Sequence, residues 1–338
     1  MPTLQTAFNQ FHDAIKLSDV DENATLREKR DILLNKLKEK ISDDAASYTY
    51  FNQGSYAMHT GISPDDGNYD IDVGLRFDID KDDYPDPVAV KKWVYDALEG
   101  HTKSVEIRKP CVTVKYQRDG EEIYHVDFAV YAASNKDGKL YLARGKEFAA
   151  TENKFWEESD PMEFMRLIRE RFKDSGDAAQ FRRIIRYLKK WKSRKFSSQG
   201  NAAPTGISLT MLAYQHFSPS STIDVFHNRA RVDNDFDGLK RLVQAIKQDF
   251  SRVFNPDGSI DYDIHVYMPT PPYNDLFGKM TQKQKTAFHD GISNLLEVLE
   301  KVETETALSE KCKLLQDVFG TDFPILSDRS VVGTSESA

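Results

Sequence analysis

A chain of 338 residues with 39% apolar content has enough material for two cores of ordinary domain size. Its formal net charge of −8 argues against a protein that coats nucleic acid through a basic surface, and its two cysteines, Cys111 and Cys312, stand too far apart in unrelated contexts for a disulfide framework or a paired-cysteine metal site. Any metal is therefore expected on oxygen ligands, and with no apolar run of about 18 residues and no signal-like start the chain reads as cytoplasmic, without a membrane partner.

Leu4, Phe8, Phe11 and Ile15 recur at helical spacing and Leu26, Leu33, Leu37 and Ile41 repeat the pattern, so two amphipathic helices open the chain. Tyr48 to Asn52 then reads as a strand, Gln53-Gly54-Ser55 as a turn, and Asp70 to Phe77 as a second strand with alternating apolar residues. Pro87 starts a helix carrying Val90, Trp93, Val94 and Leu98, and Val112 to Tyr116 with Ile123 to Tyr131 form a hairpin across Arg118-Asp119-Gly120. From about Asp160 the periodicity is almost wholly helical, over residues 161–172, 177–196, 205–217, 235–253, 281–303 and 307–319. The turn Asn135-Lys136-Asp137-Gly138 and the irregular stretch after it mark the lobe boundary. Residues 1–145 form the first lobe, 146–326 a helical lobe, and 327–338 a flexible tail of mostly small polar residues. Basic residues crowd one helix, Arg182, Arg183, Arg186, Lys189, Lys190, Lys192, Arg194 and Lys195. In an acidic chain that is as readily a local phosphate site as a solvated face.

Side chains alternate along a strand, so Ile71, Val73 and Leu75 point to the core while Asp70 and Asp72 share the other face. The same parity buries Val126, Phe128 and Val130 and turns Asp127 outward. Three adjacent carboxylates repel one another unless cations neutralise them, and hard oxygen donors of this kind suit Mg²⁺, which also binds substrate phosphates. An acid-x-acid string alone is more often a solvent-facing strand. Gly54-Ser55 shifts that balance, because a Gly-Ser turn opening a helix offers backbone N–H groups and a hydroxyl to a phosphate. His59, His101 and His125 read as structural or exposed, and Trp156 and Trp191 as core residues.

Gln53-Gly54-Ser55 followed by Asp70-Ile71-Asp72 and later by Asp127 resembles the GS…DxD…D signature of polymerase beta-like nucleotidyltransferases. Within that superfamily the chain most resembles, over nearly its whole length, the bacterial CD-NTases, relatives of cyclic GMP-AMP synthase and the oligoadenylate synthetases. The resemblance implies an α/β fold in which a polymerase beta-like nucleotidyltransferase lobe, a mixed sheet with helices, packs on a C-terminal helical lobe with the active site in the cleft. Asp70, Asp72 and Asp127 would be the catalytic residues holding two Mg²⁺ ions, with Mn²⁺ able to substitute, and Gln53, Gly54 and Ser55 would bind substrate. Arg186-Tyr187-Leu188-Lys189-Lys190-Trp191 is similar to the family helix whose lysine grips the triphosphate, which points to Lys189. Pro204-Thr205-Gly206-Ile207-Ser208-Leu209 resembles the next helix start, which supplies a hydroxyl to the same phosphates; Ser208 is preferred to Thr205. Phe319-Gly320-Thr321-Asp322-Phe323-Pro324 is like the family's closing FG motif, with Val318 near the place of its usual tryptophan.

The activity so implied is template-independent synthesis of cyclic di- or trinucleotide second messengers from NTPs such as ATP or GTP, in anti-phage defence. The implied partners are those NTPs and an operon-encoded regulator or an enzyme conjugating at the C-terminal tail. No zinc-binding insertion and no long basic surface are present, so activation by DNA or RNA and a stable long nucleic-acid partner are not expected. Two alternatives stand beside this reading. One is a nucleotidyltransferase acting on RNA ends, a small molecule or a protein; the other is a catalytically silent nucleotide-binding pseudoenzyme, against which an intact set of three aspartates argues.

Overall fold

The computed structural model describes residues 2–17, 22–64, 69–118, 121–197, 200, 202–224 and 230–327. The expected tail beyond Ser327 and the expected Asp119-Gly120 turn lie outside them. The chain forms two compact units, one made of Leu17–Glu170 and Met268–Asn274, the other of Met1–Lys16, Arg171–Tyr267 and Asp275–Ala338.

In the N-terminal helix, α1 (Leu4–Ile15), Thr3 and Thr6 form a capping box. Helix α2 (Glu22–Lys40), strand β1 (Tyr48–Gln53), the single turn α3 (Gly54–Ala57), β2 (Tyr69–Phe77) and α4 (Pro87–Leu98) follow. Asp86 caps α4 with Pro87 in its first turn, where the missing N–H costs nothing. Then come β3 (Ser104–Ile107), β4 (Val112–Arg118), β5 (Glu121–Ala132), β6 (Tyr141–Arg144), β7 (Phe155–Glu158) and α5 (Pro161–Arg169).

The sheet of the first unit runs β1-β2-β5-β4-β3, with β6 added to β5 and β7 to β6. It is mixed: β2 and β5 are parallel, while the other pairs are antiparallel. A parallel pair needs a crossover, and the chain between β2 and β5 carries α4. On one face Ile71, Val73, Leu75 and Phe77 meet Val126, Phe128 and Val130, covered by Leu26, Leu33 and Leu37 of α2 and Val90, Val94 and Leu98 of α4. This is the alternation that the sequence predicts. The opposite face carries a small apolar cluster, Ala129, Tyr131 and Leu142 with Phe51 and Leu140. It is the face shared by the three aspartates.

The second unit holds α1, α6 (Ser175–Lys195), α7 (Gly206–His216), the hairpin β8 (Ser221–Asp224) with β9 (Ala230–Asp233), α8 (Asp235–Gln248), the hairpin β10 (Ser251–Phe254) with β11 (Ile260–Asp263), α9 (Gln282–Thr304) and α10 (Leu308–Phe319). Phe8 and Phe11 of α1 pack on Tyr187 of α6 and on Phe319 and Phe323 at the end of α10, with ring centroids 5.0–5.3 Å apart. The grouping therefore differs from the boundary drawn after residue 145. Aromatic packing assigns α1 to the helical unit, while the β6–β7 ladder keeps residues 146–170 with the sheet. The closing motif has a packing role here: Gly320, at φ +85°, caps α10 and lets the chain turn back to seat Phe323.

Two corrections concern the second half, which is not wholly helical. The helix expected over 235–253 stops at Gln248, and residues 251–254 enter a hairpin closed by the Asn255 N–H on the Ser259 carbonyl and by Gly258 at φ +83°. Ser221–Asp224 and Ala230–Asp233 pair likewise. No helix among the described residues is long and apolar enough to cross a membrane.

Candidate active site

The parallel register of β2 and β5 sets Asp72 beside Asp127 and Asp70 beside His125. Ligand atoms of Asp70, His125 and Asp127 all lie within 4.8 Å of one another, and His125 Nε2 is 3.3 Å from Asp70 Oδ1. From β4, directly opposite Asp127, the buried Thr113 hydroxyl donates to Asp127 Oδ1 at 2.5 Å. Burial, and then the charge of Asp127, push the Asp70 carboxyl up to about 7, with Arg108 pulling it down. With 48% of the Asp70 side chain meeting solvent, the repulsion between the two carboxylates is the stronger of these effects. The Cys111 thiol, near Asp127, is likewise raised to about 12 by burial and by that charge.

Gly54 binds this group to the turn before it. Gln53 pairs with Asp72 across β1 and β2, so the next residue is carried against the Asp72 side chain. A Cβ built on Gly54 would lie 1.8 Å from Asp72 Oδ2, and the residue sits at φ +68°. Both the conformation and the close approach demand glycine. No side chain caps α3, which opens here, and Ser55 is its second residue. The Gln53 side-chain carbonyl accepts from the Tyr131 hydroxyl at 3.0 Å.

Lys189 and Ser208 belong to the helical unit. The Lys189 stem lies along the start of α7, its Cε 3.5 Å from where a Gly206 Cβ would stand. Ser208 is fully buried and its hydroxyl donates to the Thr205 carbonyl at 2.8 Å, whereas Thr205 is exposed and caps α7, its hydroxyl oxygen accepting the Ser208 N–H at 3.2 Å. Of the two hydroxyls, the one expected at the phosphate, Ser208, is buried, and the exposed one is that of Thr205. Much of the basic helix is engaged within its own unit. Arg183 bonds Asp233 and Asp235, Arg186 meets His12, and the buried Lys190 pairs with Asp322 at 2.5 Å.

Two carboxylates and an imidazole converge, with a third carboxylate one register step along the same open face. That donor set fits a divalent cation. Beside the expected oxygen donors, His125 places a nitrogen. Its signal was in the sequence: His125 stands two residues before Asp127 and shares its face. Thr113 was missed because only the β4–β5 register reveals its partner.

Residues 48–131 match the family described as cyclic GMP-AMP synthase DncV-like, nucleotidyltransferase domain. The chain is 29% identical over 221 residues to a cyclic GMP-AMP synthase of Escherichia albertii, an alignment covering 62% of this chain and 46% of that protein. It thus spans about half the length of this curated relative. Among solved structures, the Vibrio cholerae cyclic AMP-GMP synthase DncV superposes with a TM-score of 0.69 at 16% identity, over 95% of this chain and 99% of that one. The Bradyrhizobium diazoefficiens CD-NTase CdnG, solved with GTP, gives 0.67 at 14% identity over 94% and 96%. The Escherichia coli CdnC, solved with a HORMA protein, gives 0.63 at 16% identity over 94% and 97%. The fold is that of these nucleotidyltransferases.

Proposed function

We propose that this chain is a bacterial CD-NTase, a template-independent nucleotidyltransferase that joins NTPs into a cyclic di- or trinucleotide second messenger for anti-phage signalling. The observation that carries this reading is the parallel β2–β5 pair, which aligns Asp70, Asp72 and Asp127 on one open sheet face with the Gly54 turn pressed against Asp72. Two Mg²⁺ ions, held by the three aspartates, would supply neutralisation of the triphosphate and a lowered pKa at the acceptor hydroxyl.

The protein's own groups then have distinct tasks. Thr113 holds the Asp127 carboxylate in one orientation, leaving its other oxygen for metal or for the acceptor proton. Gly54 and Ser55 present the opening N–H groups of α3 beside the carboxylates, where an anionic phosphate would otherwise be repelled. Lys189, with the Thr205 hydroxyl at the start of α7, binds the triphosphate as a charge-assisted donor pair. Relatives solved with GTP or with a linear pppA(3′,5′)pG intermediate support nucleotide substrates for this chain too.

Incubating the protein with the four NTPs singly and in pairs, with and without an RNA acceptor, and reading products by mass spectrometry tests the proposal. A cyclic oligonucleotide made without acceptor is the expected result. Product only with RNA would move the activity to end addition, and no nucleotide consumption with either Mg²⁺ or Mn²⁺ would overturn it.

A further inference from the structure

We propose that His125 is a metal ligand, which makes the site at Asp70 and Asp127 a mixed oxygen and nitrogen donor set that favours Mn²⁺ over Mg²⁺. The inference rests on the carboxylate site described above and adds to it a ligand and a preference. On the parallel ladder, same-face positions recur every two residues, so His125 occupies on β5 the level that Asp70 occupies on β2, as Asp127 does for Asp72. The face is thus tiled by two rungs, one with two carboxylates and one with a carboxylate and an imidazole. His125 Nε2 is 3.3 Å from Asp70 Oδ1, and both join Asp127 in a group whose ligand atoms lie within 4.8 Å of one another, near enough for one ion to bridge them.

The consequence is chemical. Mg²⁺ is bound by oxygen in octahedral geometry and keeps much of its water, so an imidazole at this rung contributes little to it. Nitrogen donors instead strengthen binding of first-row transition ions. Among these, Mn²⁺ is the one that carboxylates and phosphates, the rest of this site, also suit.

The test uses the full chain with Mn²⁺ alone, then Mg²⁺ in competition. Electron spin echo spectra of bound Mn²⁺ should show ¹⁴N modulation that shifts when histidine is ¹⁵N-labelled, a measurement that needs no variant. In His125→Gln the modulation should vanish and the Mn²⁺ Kd rise about tenfold, the lower end of what losing a group next to a metal costs, while Mg²⁺ affinity stays near wild type. Asp127→Asn serves as the control for the site itself. Mn²⁺ that binds in an Asp127-dependent way but shows no nitrogen modulation overturns the role of His125 and leaves the carboxylate reading intact. Equal losses of Mn²⁺ and Mg²⁺ affinity in His125→Gln overturn the preference. Absence of any Asp127-dependent Mn²⁺ binding overturns both readings together.

Discussion

Replacing Gly54 by alanine separates backbone strain from displacement of a catalytic carboxylate. The new methyl would lie 1.8 Å from Asp72 Oδ2, 2.7 Å from Cγ and 3.1 Å from Cβ, where ordinary contact begins at 3.4 Å. The whole Asp72 side chain must swing away by roughly 1.5 Å, because a methyl on a turn has nowhere else to go. The residue also sits at φ +68°, a conformation that costs an L-residue about 1–2 kcal/mol. Gly100 supplies the matched control, since its φ is +70° but nothing lies within 4 Å of its added Cβ. Gly54→Ala and Gly100→Ala should therefore carry a similar backbone cost, read as a fall of a few degrees in the metal-free melting midpoint. Only Gly54→Ala should lose turnover, by about 100-fold, the scale on which misplacing a reacting group by an ångström acts. Product formation from NTPs, measured beside melting for both variants, decides the matter. If Gly54→Ala keeps more than about a tenth of wild-type turnover, a barrier change under roughly 1.4 kcal/mol, the position of the Asp72 carboxylate does not govern the chemistry.

Asp72→Asn and Asp127→Asn should each reduce turnover to below about a tenth while the metal-free melting midpoint holds or rises, because neutralising one carboxylate relieves its neighbours; a fall in midpoint with normal turnover would mark a structural aspartate. At the start of α7, Thr205→Val and Lys189→Ala should each raise the KM for NTP, Lys189→Ala by about 10- to 100-fold for a lost charged hydrogen bond, whereas Ser208→Ala should lower stability and leave KM alone, and the reverse pattern would return the phosphate contact to Ser208. Lys91 is fully buried and donates to the carbonyls of Arg108, Lys109 and Gly145, and burial pulls its pKa from 10.5 down to about 8. Between those values the unfolded chain binds more protons than the folded one, so stability should climb as pH rises from about 8 to 10.5. Lys91→Met should abolish that climb in denaturant titrations, and a climb of equal size in the variant would refute the assignment.

What could be read without the structure was whatever depends on short repeats. Strand parity set Asp70, Asp72 and Asp127 outward, the core faces of β2 and β5 follow the predicted alternation, and those of α2 and α4 the predicted helical spacing. What could not be read depends on pairings distant in sequence. Nothing local says that β2 lies parallel to β5, yet that register alone makes His125 a neighbour of Asp70 and Thr113, through β4, a partner of Asp127. A histidine judged by itself looks structural; only the register sets this one beside Asp70, one rung from the Asp72 and Asp127 pair. The grouping of α1 was hidden for a similar reason, since Phe8 and Phe11 announce a buried face but not that its partners, Tyr187, Phe319 and Phe323, come from the far half of the chain. The short hairpins β8–β9 and β10–β11 were hidden for the opposite reason. Their four-residue strands are mostly exposed and carry little apolar pattern, and for β10–β11 the signal is the turn chemistry of Asn255 and Gly258. Two hydroxyls three residues apart fit the same motif at the start of α7, and sequence does not say that Ser208 is buried while Thr205, the capping residue, is exposed. The residues whose roles are hardest to read from sequence are therefore those assigned by register or by burial, and in this protein they surround the carboxylates that parity alone identifies.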